Sequence, residues 1–122
     1  MEMTFGAARK FLPEWVEPQT TALLSMEMQR GVVGDLSKIA VLVAAVEQGG
    51  VIGNLAMLMG AARAAGVPVV HCNAVFRHDR KGSANNCPML SRAMKDPDQI
   101  LEGSPQTAIA PALGPDPADF VL

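Results

Sequence analysis

Glu27 and Gln29 have the side chains best placed for chemistry, because both follow directly on a short apolar-leaning run. Thr21 to Met26 forms that run, Glu27 closes it, Gln29 stands just beyond, and Gly31 and Gly34 mark the turn that follows. A carboxylate at the carboxyl tip of a strand lies where open α/β sheets build their ligand crevices. There it can serve as a general base toward a thiol or water, or as a general acid toward a substrate oxygen or enol carbon. Burial that lifts its pKa toward the working pH equips it for either role. The competing structural reading has Glu27 accepting hydrogen bonds from backbone amides of the Gly31 to Gly34 turn. Gln29, two residues along an extended chain, is expected to point to the same side as Glu27, as a substrate contact or as a brace for the loop.

A second group follows the next β-branched run. Phe76 and Arg77 fall just past VPVVHC, where an aromatic wall and a cation could hold a planar or carboxylate-bearing substrate. An exposed loop arginine beside a packing phenylalanine is the plainer alternative. His71, His78 and Asp79 raise the question of a metal, but His71 lies inside the run and only His78 and Asp79 are adjacent, so no metal or other cofactor is expected. The cysteines Cys72 and Cys87 are too few for a disulfide scaffold and are read as reduced thiols. Cys87, in Asn-Asn-Cys-Pro, is expected to lack a helix N-terminus that would activate it.

The elements that must position these groups come next. Thr21 to Met26 lacks clean alternation, which suits a first strand covered on both faces inside a sheet. Leu36 to Val46 is apolar, and its periodicity leaves a short helix and a loop-like insert both open. From Val51 to Ala65 the residues Val51, Leu55, Leu58, Met59 and Ala62 recur at helical spacing with Arg63 off the stripe, which predicts an amphipathic helix. Gly49, Gly50 and Gly53 lack the spacing of a phosphate-cradling loop and read as a flexible helix entry. Gly66 and Pro68 stop the helix, and Val67 to Cys72 reads as a second, parallel strand. Residues 73 to 118 form a long loop region in which Ser91 to Leu101 could make a short helix and Thr107 to Leu113 another turn or two. Residues 119 to 122 open a third strand. An N-terminal arm over residues 1 to 20 carries Phe11, Leu12 and Trp15 for packing.

At 122 residues the length fits one domain, and a chain near this size can bury roughly two-thirds of its unfolded surface. Hydrophobic residues at 49% against 18% charged argue against disorder. A net charge of -2 gives no basic patch for nucleic acid or anionic lipid, so a small-molecule substrate is the default partner. No apolar stretch is long enough to span a bilayer, no secretory leader is apparent, and a cytoplasmic location is expected. The eight methionines, Met57, Met59, Met89 and Met94 among them, read as core filling.

In this order, ALLSMEMQRGVVGD, NLAMLMGAARAAGVPVVHCNAVFR and EGSPQTAIAPALGPDPADFVL resemble the isochorismatase-like cysteine hydrolases, which include nicotinamidases and related amidases. The shared pattern is a strand ending in Asp-x-Gln, a helix closing in an Ala-Arg-Ala-Ala-Gly-Val-Pro-Val turn, and a Gly-Thr-Pro loop leading through Pro-x-Leu to Asp-x-Val. The resemblance implies a three-layer α/β/α, Rossmann-like domain with a parallel sheet, of which this chain would hold the N-terminal part, about three of six strands. It also implies a catalytic aspartate, lysine and cysteine. Glu27 occupies the aspartate position, where its extra methylene displaces the carboxylate by roughly 1 Å, a shift that can cost about a hundredfold in rate. The lysine and cysteine positions fall past Leu122, and neither Cys72 nor Cys87 matches the family cysteine. The expected activity is hydrolysis of a small amide or an enol-ether by the full-length form, expected to be a homo-oligomer, with Glu27 as acid/base. The alternative is a non-catalytic relative with a binding or assembly role.

Overall fold

A computed structural model describes residues 15–122. The expected packing of Phe11 and Leu12 lies outside the described residues. Strand β1, Leu23–Met26, is followed by helices α1, Ala40–Gln48, and α2, Val51–Ala64, then by β2, Val69–Cys72. Helix α3, Pro88–Lys95, and two single 3₁₀ turns, Pro105–Thr107 and Pro111–Leu113, occupy the long connection to β3, Phe120–Val121. The three strands are parallel in the order β1-β2-β3, with Leu23 opposite Val69, Met26 opposite Cys72 and Val70 opposite Phe120. This is the α/β arrangement of a Rossmann-like sheet.

The open question over Leu36 to Val46 resolves as helix from Ala40 onward. Helices α1 and α2 meet at a bend of 61° across Gly49 and Gly50. Gly50 takes φ 59° there, a left-handed conformation that glycine adopts without steric penalty, so the pair acts as a joint between two helices. Helix α3 starts at Pro88, ahead of the expected Ser91, because proline suits the first helical position. Cys87 consequently sits at the N-cap of α3, contrary to the expectation that it has no helix N-terminus, although its thiol makes no capping bond. Among the described residues no single helix is long and apolar enough to cross a membrane.

Alternation along the strands separates two faces. Leu23, Ser25, Val69 and His71 look toward α2, where Met59, Val69, Ile109, Ala110 and Leu113 form the buried core with Ile52, Leu55, Ala56 and Ala62 packed around it. On the other face Leu24 is 56%, Met26 60% and Phe120 59% exposed. This corrects the expectation that β1 is covered on both faces: among the described residues it pairs with β2 alone, and its second face is exposed. The apolar run in the sequence reports what the strand can bury and leaves unstated what lies against it.

Met59 is fully buried at the centre of the core. Met59→Ala is expected to lower unfolding free energy by about 2–5 kcal/mol, measured by urea denaturation. Met57→Ala, at a position 70% exposed, is expected to stay within about 0.5 kcal/mol of the parent.

Candidate active site

The carboxyl ends of the parallel strands bring the residues after β1 and β2 together. Glu27 terminates β1: its N–H donates to the Cys72 carbonyl at 2.8 Å, and its φ of 56° turns the chain into the left-handed region. For a non-glycine residue that conformation costs about 1–2 kcal/mol. The carboxylate is exposed and has no hydrogen-bond or ion-pair partner among the described residues. The turn amides are satisfied elsewhere, Gly31 N–H donating to the Gln106 carbonyl at 2.9 Å. A Cβ on Gly31 would stand 2.6 Å from Gln106 Cβ and 2.8 Å from Ile100 Cγ2, so glycine is what allows these loops to touch. Glu27→Gly is expected to raise stability by about 1 kcal/mol by relieving the left-handed strain, read from the midpoint of urea unfolding.

The reversal at Glu27 also separates it from Gln29. Gln29 is wholly buried while Glu27 faces solvent, which corrects the expectation that both point to the same side. The extended-chain rule fails here because the intervening backbone is not extended. The Gln29 side chain donates from Nε2 to the Ala74 carbonyl at 2.8 Å and accepts from Ala74 N–H at Oε1, also 2.8 Å. It thus pairs with the post-β2 loop as another peptide unit would, and its Nε2 reaches the Gln106 carbonyl at 3.4 Å. Of the two readings offered by the sequence, this geometry is that of the brace.

Phe76 forms a parallel bridge with Leu101, and the Arg80 guanidinium lies 4.7 Å from its ring centroid. Arg77 is exposed and held by Asp79 in a two-pronged ion pair at 2.9–3.0 Å. His78 Nε2 lies 3.0 Å from the Glu102 carbonyl, and His71 is buried in β2. Among the described residues no cluster of His, Cys, Asp or Glu has the makings of a metal centre.

A crevice of about 490 Å³ opens at this end of the sheet, lined by Arg30, Asn73, Thr107, Ile109, Pro115 and Val121. Arg30 and Asn73 follow β1 and β2, and Val121 ends β3, so this is the location where open parallel sheets take ligands. Glu27 is not among its lining residues. Arg30 is clamped to Asp35 at 2.7 and 2.9 Å, and the Asn73 amide donates to the Thr107 carbonyl at 3.0 Å.

Beneath the crevice runs a buried polar chain that the sequence did not disclose. Asp119, its side chain 1% exposed, accepts from Arg63 Nη2 at 2.6 Å, Arg63 Nε at 3.1 Å and the Asp116 N–H at 2.9 Å. His71 Nε2 lies 2.9 Å from the same carboxylate, and His71 Nδ1 lies 3.1 Å from Ser25 Oγ. Toward an ionised Asp119 the Nε2 side is the donor, and a neutral imidazole would then accept from the serine hydroxyl at Nδ1. The Arg63 guanidinium beside it, and secondarily His71, hold the Asp119 carboxyl well below the usual carboxylate range. A serine, histidine and aspartate in sequence invite comparison with a nucleophilic triad. Here Ser25 meets Nδ1 instead of Nε2, and exposures of 4% for Ser25 and 1% for His71 leave no room for substrate. The chain is a clamp joining β1, β2, the entry to β3 and α2. Its signals were Arg63 standing off the apolar stripe of α2 and Asp119 immediately before a strand.

The fold and this carboxyl-end site define a class, an α/β domain built on a parallel sheet with an acidic residue ending its first strand. The Isochorismatase domain matches residues 21–122, and the chain belongs to that family. In structure it is similar to a cysteine hydrolase from Pseudomonas syringae pv. phaseolicola 1448A, with a TM-score of 0.57 and 22% identity. That match covers 87% of this chain and 46% of the hydrolase, so the chain spans about half the length of that protein. No curated protein matches.

Proposed function

We propose that this protein takes part in hydrolysis of a small amide or an enol-ether such as isochorismate, with Glu27 as the acid/base group. The observation that carries the reading is Glu27 itself. It is a non-glycine residue held in left-handed backbone at the carboxyl end of β1, in a chain of the isochorismatase family. Strain of this kind collects where function requires it. On an enol-ether, the protonated Glu27 carboxyl would deliver its proton to the enol carbon, and water would capture the resulting oxocarbenium. Loss of a proton from that water to the carboxylate restores Glu27, and the hemiketal collapses to a ketone and an alcohol. This route needs no thiol. On an amide, the carboxylate would act as base toward a nucleophile.

A second reading, a family member with a binding or assembly role, is favoured by the exposure of Glu27 and its absence from the lining of the crevice. Turnover separates the two. The hydrolase reading expects release of product from at least one member of a panel of small amides and isochorismate. No turnover across the panel by well-folded protein would support the second reading.

A further inference from the structure

We propose that the groove between the loop before α1 and helix α3 is a binding site for a small amphipathic carboxylate, one with an aromatic or branched apolar body. The groove encloses about 520 Å³, within the range of small-molecule sites. Its apolar floor is Ile39 from the loop with Pro88, Met89 and Ala93 from α3, and Met89 is 68% exposed. An exposed methionine over an open apolar floor is a surface that adapts to a bound body.

The charge around the groove selects the sign of the ligand. Lys38 and Asp96 at one end form an ion pair and cancel. Arg80, stacked on Phe76, donates from Nη2 to the Asp96 and Pro97 carbonyls at 2.8 and 3.3 Å and so holds the backbone behind that wall. Arg92 stands on the groove face of α3 between Met89 and Asp96, exposed and without a carboxylate partner among the described residues. One guanidinium, that of Arg92, is therefore left uncompensated beside an apolar floor, in a chain whose net charge is -2. A carboxylate can take the Arg92 fork in two parallel hydrogen bonds while its apolar part covers Ile39 and Met89.

Amide chemical shifts of the isotope-labelled full chain, titrated separately with benzoate, benzamide and acetate, test this. Benzoate is expected to shift the amides of Ile39, Met89 and Ala93 saturably. Benzamide, which lacks the charge, and acetate, which lacks the body, are each expected to bind more weakly by about tenfold or more. Arg92→Gln and Met89→Ser, both at exposed positions that leave the fold intact, are each expected to weaken benzoate by about tenfold. Absence of saturable benzoate shifts at these amides, equal binding of benzamide, or an Arg92→Gln titration superposing on the parent would overturn the proposal.

Discussion

Asp119→Ala is expected to destabilise the fold by about 3 kcal/mol, the lower end of the range for breaking a buried ion pair from one side. The carboxylate is 1% exposed and serves Arg63, His71 and the Asp116 amide together. Its removal leaves His71 and the Asp116 amide without this acceptor and leaves Arg63 with the Leu113 carbonyl, 3.0 Å from Nη2. The lower end applies because the Arg63 side chain retains 28% exposure and water can reach the abandoned guanidinium. Asp119→Asn keeps the shape and some hydrogen bonds, so a smaller loss is expected. Since the folded state holds this carboxyl below its ordinary range, the unfolded chain binds the proton more readily. The stabilisation is thus complete above the ordinary aspartate pKa of about 3.9 and drains away as pH falls below it. Urea unfolding from neutral to acid pH is expected to show this acid loss in the parent, and a flatter profile in Asp119→Asn. Equal profiles would show that Asp119 is not the group responsible.

Gln29→Ala is the other large effect, expected to cost about 2–4 kcal/mol, since it empties a wholly buried position and leaves part-buried backbone groups unpaired. The loss falls on Ala74, whose N–H and carbonyl both pair with this one side chain. Gln29→Glu is diagnostic: the carboxylate still accepts from Ala74 N–H but cannot donate to the Ala74 carbonyl, and it places a charge at a wholly buried position. Both variants are expected to speed amide hydrogen exchange in the loop that follows β2. Exchange there at the parent rate, with stability unchanged, would remove the bracing role.

The parts of the fold that the sequence discloses are those governed by local pattern. The stripe from Val51 to Ala62, stopped by Gly66 and Pro68, gives α2 within one residue, and the β-branched run before Cys72 gives β2. Helix α1 escapes because apolar residues surround it on all sides, which erases the periodicity that distinguishes a helix. Helix α3 runs Pro88–Lys95 where the sequence suggests Ser91 to Leu101, because proline serves as its first helical residue. At the site, Glu27 and Gln29 stand out by residue type and place. Their divergence depends on a single backbone angle at Glu27, and no side-chain pattern encodes it. The Ser25, His71, Asp119 and Arg63 clamp joins residues up to 94 positions apart in the sequence, from Ser25 to Asp119, so only the folded sheet brings it into being.

The central functional claim rests on the carboxylate of Glu27, and one comparison addresses it most directly: kcat/KM of the parent, Glu27→Gln and Glu27→Asp on whichever amide or enol-ether is turned over. Glu27→Gln is expected to lose about 10²–10⁴-fold, the range for removing a general acid or base, while Glu27→Asp retains measurable activity because a proton-transferring group remains. Turnover by Glu27→Gln at the parent rate would contradict the claim and leave Glu27 outside the reaction.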